Sequence, residues 1–436
     1  IVYNRNFVKE LDLKINNRDS LLNLDMSGDN IRIAGMRMDS TTFTLKGKEN
    51  LFDANFAFRN TSQEKNNANI GTTIGFLKDS IRFTLDSNSH IMLKGNRWQL
   101  NPSEIILADS SIIIDKFRIN NGSQYLSANG LLSKERKDSL SLGLNRFDIK
   151  IFNLFLNKPF NVEGYFSGNA RISTFGDNSN IFLDLTGDSV YVYNNPVGVM
   201  KIMSKWYQPE KRFNILVNSK LDGRRNMNVT GYFKPDGNYL NLDGSLDNLS
   251  VSYFEPFLAD IISKSSGTFS GNVNLSGPID RLKLNGENCR FDNFRFIVNY
   301  TKVPYTLNGP VILNENGIFA NGLEVSDNYG NKGSVSGGLH YHYFRDARID
   351  ANITFRNLEC LKTRESDNEY FYGNAFATGS FGIKGPFNNI LLDINVRPEE
   401  KTALHIPLSS SENATQTNLL TFKEPANKKI TNFYDS

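Results

Sequence analysis

The stretch Ile81-Arg82-Phe83-Thr84-Leu85-Asp86 decides the fold class. Apolar and polar residues alternate with a period of two, the pattern of a strand with one buried face. The same alternation returns in Ile181-Phe182-Leu183-Asp184-Leu185 on its odd positions, in Leu240-Asn241-Leu242-Asp243 and in Leu282-Lys283-Leu284-Asn285. Between such runs stand turn signals: Asp222-Gly223, Pro235-Asp236-Gly237, Asn308-Gly309-Pro310, Asn316-Gly317 and Asn321-Gly322. Turns recurring this often predict antiparallel strands joined by short hairpins. The chain reads as all-β.

Composition excludes several classes. Of 436 residues, 39% are hydrophobic, 22% charged and 12% aromatic, with a mean hydropathy of −0.40. That is too aromatic for a disordered chain and too polar for a membrane-helix bundle. Lys and Arg number 49 against 46 Asp and Glu, a balance that makes no basic footprint for nucleic acid. Length alone sets a prior of about three domains. The two cysteines, Cys289 and Cys360, cannot build a zinc site. No apolar run approaches membrane-spanning length, and Ile1-Val2-Tyr3-Asn4-Arg5 has no signal-peptide core. With no initiator Met, the chain reads as an excerpt whose membrane contact lies in segments outside it.

Internal repeats replace the domain prior. Glycine pairs eight apart occur at Gly122/Gly130, Gly223/Gly231 and Gly330/Gly338, and Gly28 stands where a further copy would place its second glycine. A second series, Gly75, Gly176, Gly277 and Gly385, keeps nearly the same period. Both series give units of about a hundred residues: 1–75 (partial), 76–176, 177–277, 278–385 and 386–436 (partial, with a polar loop over 409–418). Short amphipathic helices are expected to interrupt the strands. Phe254, Phe257, Leu258, Ile261 and Ile262 share a helical face. Phe152, Phe155 and Leu156 repeat that spacing earlier, and Leu358 and Leu361 repeat it more weakly later. Val199, Ile202, Met203 and Trp206 predict another helix over 197–207. These helices would cap the sheet's apolar face or gate a groove along it.

A sheet with one apolar face must hide that face. The thin apolar content favours a curled, open, taco-like trough, with a closed sandwich as the alternative. At roughly eleven residues per strand and turn, the chain makes roughly forty strands, an elongated array of about 190 Å at ~4.8 Å per strand. The expected trough lining is Ile81, Phe83 and Leu85; Ile181, Leu183 and Leu185; Leu282 and Leu284; Ile390, Leu392 and Ile394.

The run Ser266-Gly267-Thr268-Phe269-Ser270-Gly271-Asn272-Val273-Asn274-Leu275-Ser276-Gly277-Pro278-Ile279-Asp280-Arg281-Leu282 resembles the recurring glycine-rich motif of the TamB/AsmA-like family. It recurs as Gly379-Ser380-Phe381-Gly382-Ile383-Lys384-Gly385-Pro386-Phe387-Asn388-Asn389-Ile390. The segments Phe254-Glu255-Pro256-Phe257-Leu258 and His405-Ile406-Pro407-Leu408-Ser409 are also similar to family sequences. The Asn/Asp- and Tyr/Phe-rich flavour resembles a Bacteroidetes-type member, with the chain as an interior portion. The resemblance implies a Gram-negative envelope protein of the periplasm, anchored to the inner membrane and reaching an Omp85-type barrel in the outer membrane. It implies phospholipid as cargo in the trough, and, as the alternative, a scaffold assisting outer-membrane protein insertion.

Catalytic motifs are missing from the sequence: there is no GxSxG, P-loop or HExxH. His340-Tyr341-His342 could begin a metal site but has no third ligand nearby in sequence. Glu255 and Asp260, like Glu399-Glu400, read as solvated charges. Tyr191, Tyr193, Tyr341 and Tyr343 leave room for a carbohydrate-binding reading, which the glycine motifs do not suggest. The chain is expected to be no enzyme and to need no cofactor.

Overall fold

The computed structural model describes residues 2–407 apart from 4–5, 19, 34–35, 61–65, 94, 136, 155–161, 175–179 and 369. Phe155, Leu156, Gly176 and the 409–418 stretch lie outside that description. Among the described residues the strands form one 29-stranded sheet in which chain neighbours pair antiparallel. The main departure is at Ser80–Leu85, which pairs with Glu104–Ala108 past the short hairpin of His90–Leu93 and Asn96–Leu100. The strand count falls below the roughly forty expected at ~11 residues each because many strands run longer. Ile262–Pro278 has 17 residues and Arg345–Thr363 has 19.

No second sheet covers the apolar face among the described residues: the main contacts between strands are those of the ladder itself. The accessible surface of 28410 Å² far exceeds the ~17,000 Å² of a compact chain of this mass. The open array therefore prevails over the sandwich.

A line of β-bulges crosses the sheet and accounts for a set of polar-Gly dipeptides, of whose glycines only Gly130 belongs to the periodic series. At six of the bulges one extra residue takes a left-handed conformation: Lys116, Arg146, Asn248, Asn293, Gly322 and Asn357 have φ between 44° and 78°. The ladder cannot use that residue's N–H. In each case a side chain on the next strand accepts it instead: Asn129 Oδ1 (3.0 Å), Ser167 Oγ (2.9 Å), Ser270 Oγ (3.0 Å), Asn308 Oδ1 (2.6 Å), Ser336 Oγ (3.3 Å) and Thr378 Oγ1 (2.8 Å). Every one of these acceptors directly precedes a glycine. At Gly168 the reason is close approach: a Cβ there would lie 2.1 Å from the Asp184 carbonyl oxygen, at φ +148. The polar-Gly dipeptide thus couples a cap for one strand's bulge to tight passage past the next strand.

Beyond the bulges the strand ends turn inward and form a closed margin where the fully buried side chains collect. Val190 and Val303 are 0% exposed, and Val251, Phe269, Cys289, Leu313 and Leu323 form one cluster. Bonds here skip strands. The Tyr253 hydroxyl donates to the Pro196 carbonyl (2.6 Å), and that of Tyr305 to Glu359 (2.7 Å).

The expected helices are largely replaced. Residues 195–207 form a strand, Asn195–Tyr207, in which Met200, Ile202 and Trp206 share one face. Flanking strands claim its backbone on both sides, and such pairing overrides a weak helical spacing. Leu358 and Leu361 are buried in the strand Arg345–Thr363, brought inward by a further bulge between Glu359 and Leu361. The segment Val251–Phe257 is a 3-10 helix with Pro256 inside it, while Ile262 already belongs to the next strand. Pro256 has no N–H for an α-helical bond, and Phe254 points outward, 46% exposed. Leu258 and Ile261 are half-buried in the following turn, and the side chain of Phe257 lies outside the description. Ile149–Leu154, which includes Phe152, is likewise a 3-10 helix.

Candidate functional site

Cross-strand partners in an antiparallel ladder point their side chains to the same face, so the register traces that face from strand to strand. From Phe83 it runs through Ile105 and Ile114 to Gly130, then Leu140, Ile172 and Ile181. Leu185, on the same face as Ile181, continues it through Ile202, Val217 and Val229 to Gly244. Leu242 then leads through Leu275 to Leu284. Past the cluster around Phe269, the line runs from Leu307 through Val325, Gly333, Phe355 and Gly379 to Val396, which shares its strand face with Leu392 and Ile394.

The ladder register places nine of the eleven expected lining residues on one side of the sheet, while Leu282 and Ile390 lie just outside their strands. Ile81 through Leu284 in that set are half-buried. Ile390, Leu392 and Ile394 are 40%, 44% and 55% exposed. The face continues at the other end through Phe56, Phe43 and Met26 to Leu13, where Leu11, Leu13 and Ile15 are at least half exposed. These rows contain no charged residue. Leu11, Leu13 and Ile15 were not named from sequence, though Leu11-Asp12-Leu13-Lys14-Ile15 carries the same alternation.

The opposite face is ionic and polar. Arg82 pairs with Glu104 (3.1 Å), Lys201 with Asp184 (3.7 Å) and Lys283 with Glu315 (2.6 Å). At the closed margin, Glu359 is fully buried. Its carboxylate lies 3.6 Å from Lys362 Nζ, and its N–H donates to Asp327 Oδ2 (3.0 Å). Glu359 Oε2 has no partner. Burial pushes the Glu359 carboxyl up and Asp327 adds to that, against the pull of Lys362. Glu255 caps the bulge at Lys264 and Ser265 rather than standing solvated. Burial raises its pKa, but hydrogen bonds from Ser265 and Lys264 outweigh that and hold it below the ordinary value.

Among the described residues no three His, Cys, Asp or Glu side chains gather to hold a metal, and no helix is long and apolar enough to cross a membrane. The chemistry offered is a dry, half-open apolar surface with ionic groups outside it. A family model described as the TamB N-terminal domain matches residues 11–288, well over half of the chain. Comparison with curated proteins and with solved structures gave no match.

Proposed function

We propose, from the premise that this chain belongs to the TamB N-terminal domain family and so to the cell envelope, that its apolar face is a conduit for phospholipid acyl chains between inner and outer membranes. The observation that carries this reading is the unbroken apolar face from Leu13 to Ile394. Each acyl CH₂ gains about 0.8 kcal/mol on leaving water for such a surface and needs no specific hydrogen bond. A lining uniform from strand to strand lets a lipid slide without release, while its headgroup stays in water at the open margin. An Omp85-type outer-membrane barrel is the partner expected to receive the cargo.

One observation favours the scaffold reading. Among the described residues, the outer edges of Asn6–Arg18, beyond its first residues, and of Leu391–Pro398 are unpaired. Open edges of this kind accept strands from client proteins. Photocrosslinkers at Leu183, Leu284 and Leu392 separate the two readings. The conduit predicts phospholipid adducts at all three positions. Capture of unfolded outer-membrane proteins with no lipid adduct would overturn it.

A further inference from the structure

At the closed margin one residue is pinned from both sides of the sheet. Glu359 stands between two bulges near the end of Arg345–Thr363. From the trough side the Tyr305 hydroxyl donates to its carbonyl, and on the outer side its N–H donates to Asp327 Oδ2. Three residues on, the Lys362 N–H donates to the Thr301 carbonyl (2.9 Å). These bonds bypass the strands Gly317–Ser326 and Lys332–His342, which lie between the partners in the ladder. They draw the strand end onto segment 301–305 and shut the wall of the trough there.

Outside this seam a tight turn folds over the same point. Asp327, 6% exposed, accepts four N–H bonds: from the Tyr329 backbone (2.8 Å), the Asn331 backbone (2.9 Å), the Asn331 side chain (2.8 Å) and Glu359. The Tyr329 ring meets the buried Phe376 ring edge-on at 5.3 Å and covers it. The Glu359 carboxyl is poorly served by comparison. Its Oε1 accepts from Asn374 (2.8 Å) when that amide turns its nitrogen inward, and Oε2 accepts nothing. Lys362 Nζ stands 3.6 Å off on a half-exposed side chain. Of these two linked carboxyls, the one with four donors stays ionised and the one with the orphan oxygen takes the proton. The other titratable groups facing it are neutral: burial pushes the Cys360 thiol up to about 11 and the Tyr305 phenol above its ordinary value.

We infer that Glu359 is a proton-operated clasp on the trough wall: protonated, it lets turn 327–331 and the strand end close together, and ionised, it drives them apart. An anion forming there stands beside ionised Asp327 with no water to solvate it, and lifting the turn admits that water. Lifting also parts the Glu359 N–H from Asp327 and loosens the strand end that Tyr305 holds from inside, so the wall opens sideways. Burial pushes the carboxyl up in the closed form. The clasp is therefore shut below the open-state value and loosens as pH rises through the closed-state one. The inference concerns the wall and stands whichever cargo the trough carries.

Amide exchange of the intact chain, each rate divided by the unfolded-chain rate at the same pH, tests it at the Glu359 and Asn331 N–H groups. The strand Arg212–Leu221 is the control. Protection at both amides should fall severalfold as pH rises above the ordinary glutamate value, while the control strand keeps its own. Glu359→Gln should hold protection constant, because an amide cannot ionise. Lys362→Met removes the cation that favours the ionised carboxyl and should move the fall to higher pH, which a merely structural role of Lys362 would not do. Protection independent of pH, the same fall in Glu359→Gln, or an equal fall across Arg212–Leu221 overturns the inference. Should Glu359→Gln fail to fold, Lys362→Met decides: no displacement of the fall, or displacement to lower pH, overturns it as well.

Discussion

Leu284→Arg places a cation on the apolar face where the structure gives it neighbours on both sides. Leu284 is paired with Leu275 and packs against the cluster of Val251, Phe269, Cys289 and Leu313. It is half-buried, so losing its side chain costs the fold about 1 kcal/mol, half of a fully buried leucine's contribution. One strand in a continuous ladder tolerates that. A sliding acyl chain meets a larger obstacle. Across one strand's ~4.8 Å it loses contact for about three CH₂ groups, or about 2.4 kcal/mol. The guanidinium can snorkel toward the open margin, which limits any further desolvation cost. A barrier of that height slows passage by about fifty- to a hundredfold. The assay is transfer of labelled phospholipid by the intact protein, with Asn285→Arg as control. Asn285 pairs with Asn274 on the opposite, polar face, and its variant should transfer at the unaltered rate. Equal rates for Leu284→Arg and the unaltered protein, or equal slowing by both arginines, would refute the argument that the traced face is the route.

Other consequences follow from single residues. Gly168→Ala should destabilise by about 2–4 kcal/mol through left-handed strain plus overpacking against Asp184. Gly223→Ala, with φ +78 and open space around it, should cost only about 1–2 kcal/mol. Hydrogen exchange of the strand Asn180–Val192 reads the first, and that of Arg224–Lys234 the second. Ser270→Ala removes the acceptor of the Asn248 N–H and should cost about 0.5–1.5 kcal/mol, seen as faster exchange at Asn248 without loss of the flanking ladder. Glu359→Gln tests the buried carboxylate. Because burial raises its folded pKa, stability is greatest at low pH and falls as pH rises from the unfolded value through the folded one. Glu359→Gln should therefore gain in melting temperature over the unaltered protein above that window and match it below. A pH-independent difference between the two would contradict the raised carboxyl.

Alternation in six residues, Ile81 to Asp86, is enough to read strand and face, because side-chain direction in a strand follows residue parity alone. Parity also carries from one strand to the next, through hairpins whose turns are visible as Asp-Gly and Asn-Gly. Nine of the eleven residues picked by parity therefore share one side of the ladder without any knowledge of pairing. Bulges break parity, and there the reading fails. Leu358 and Leu361, three apart, are both buried because bulges at Asn357 and after Glu359 re-aim the strand, and in sequence that spacing reads as a helix turn. The same confusion turns Val199, Ile202, Met203 and Trp206 into a helix face, although Val199 is 49% exposed in the strand. The grouping of His340, His342, Arg348 and Asn314 on the polar face lay beyond sequence reasoning for a different reason. His340 and His342 are visible as a pair, but Arg348 joins them only through the register of the next strand, and Asn314 only through a hairpin.

The glycines connect the two levels. Ser270-Gly271 and Gly379 stand out in sequence as motif, and in the structure Ser270 and Thr378, the residue before Gly379, each cap the preceding strand's bulge. Capped bulges let the sheet curl while every strand keeps its apolar residues on the inside. A flat sheet of this length would expose its apolar face wholly to water, and a sheet closed into a sandwich would leave no room for cargo. Curling at a line of bulges gives the intermediate state, with side chains buried at the closed margin and half-buried toward the open one. A surface that carries acyl chains needs that intermediate burial: dry enough to hold a chain, open enough for its headgroup to remain in water. Replacing one cap changes the curl at one strand, so a defect at Ser270 should reach the lining at Leu284, on the next strand, before it reaches Leu183.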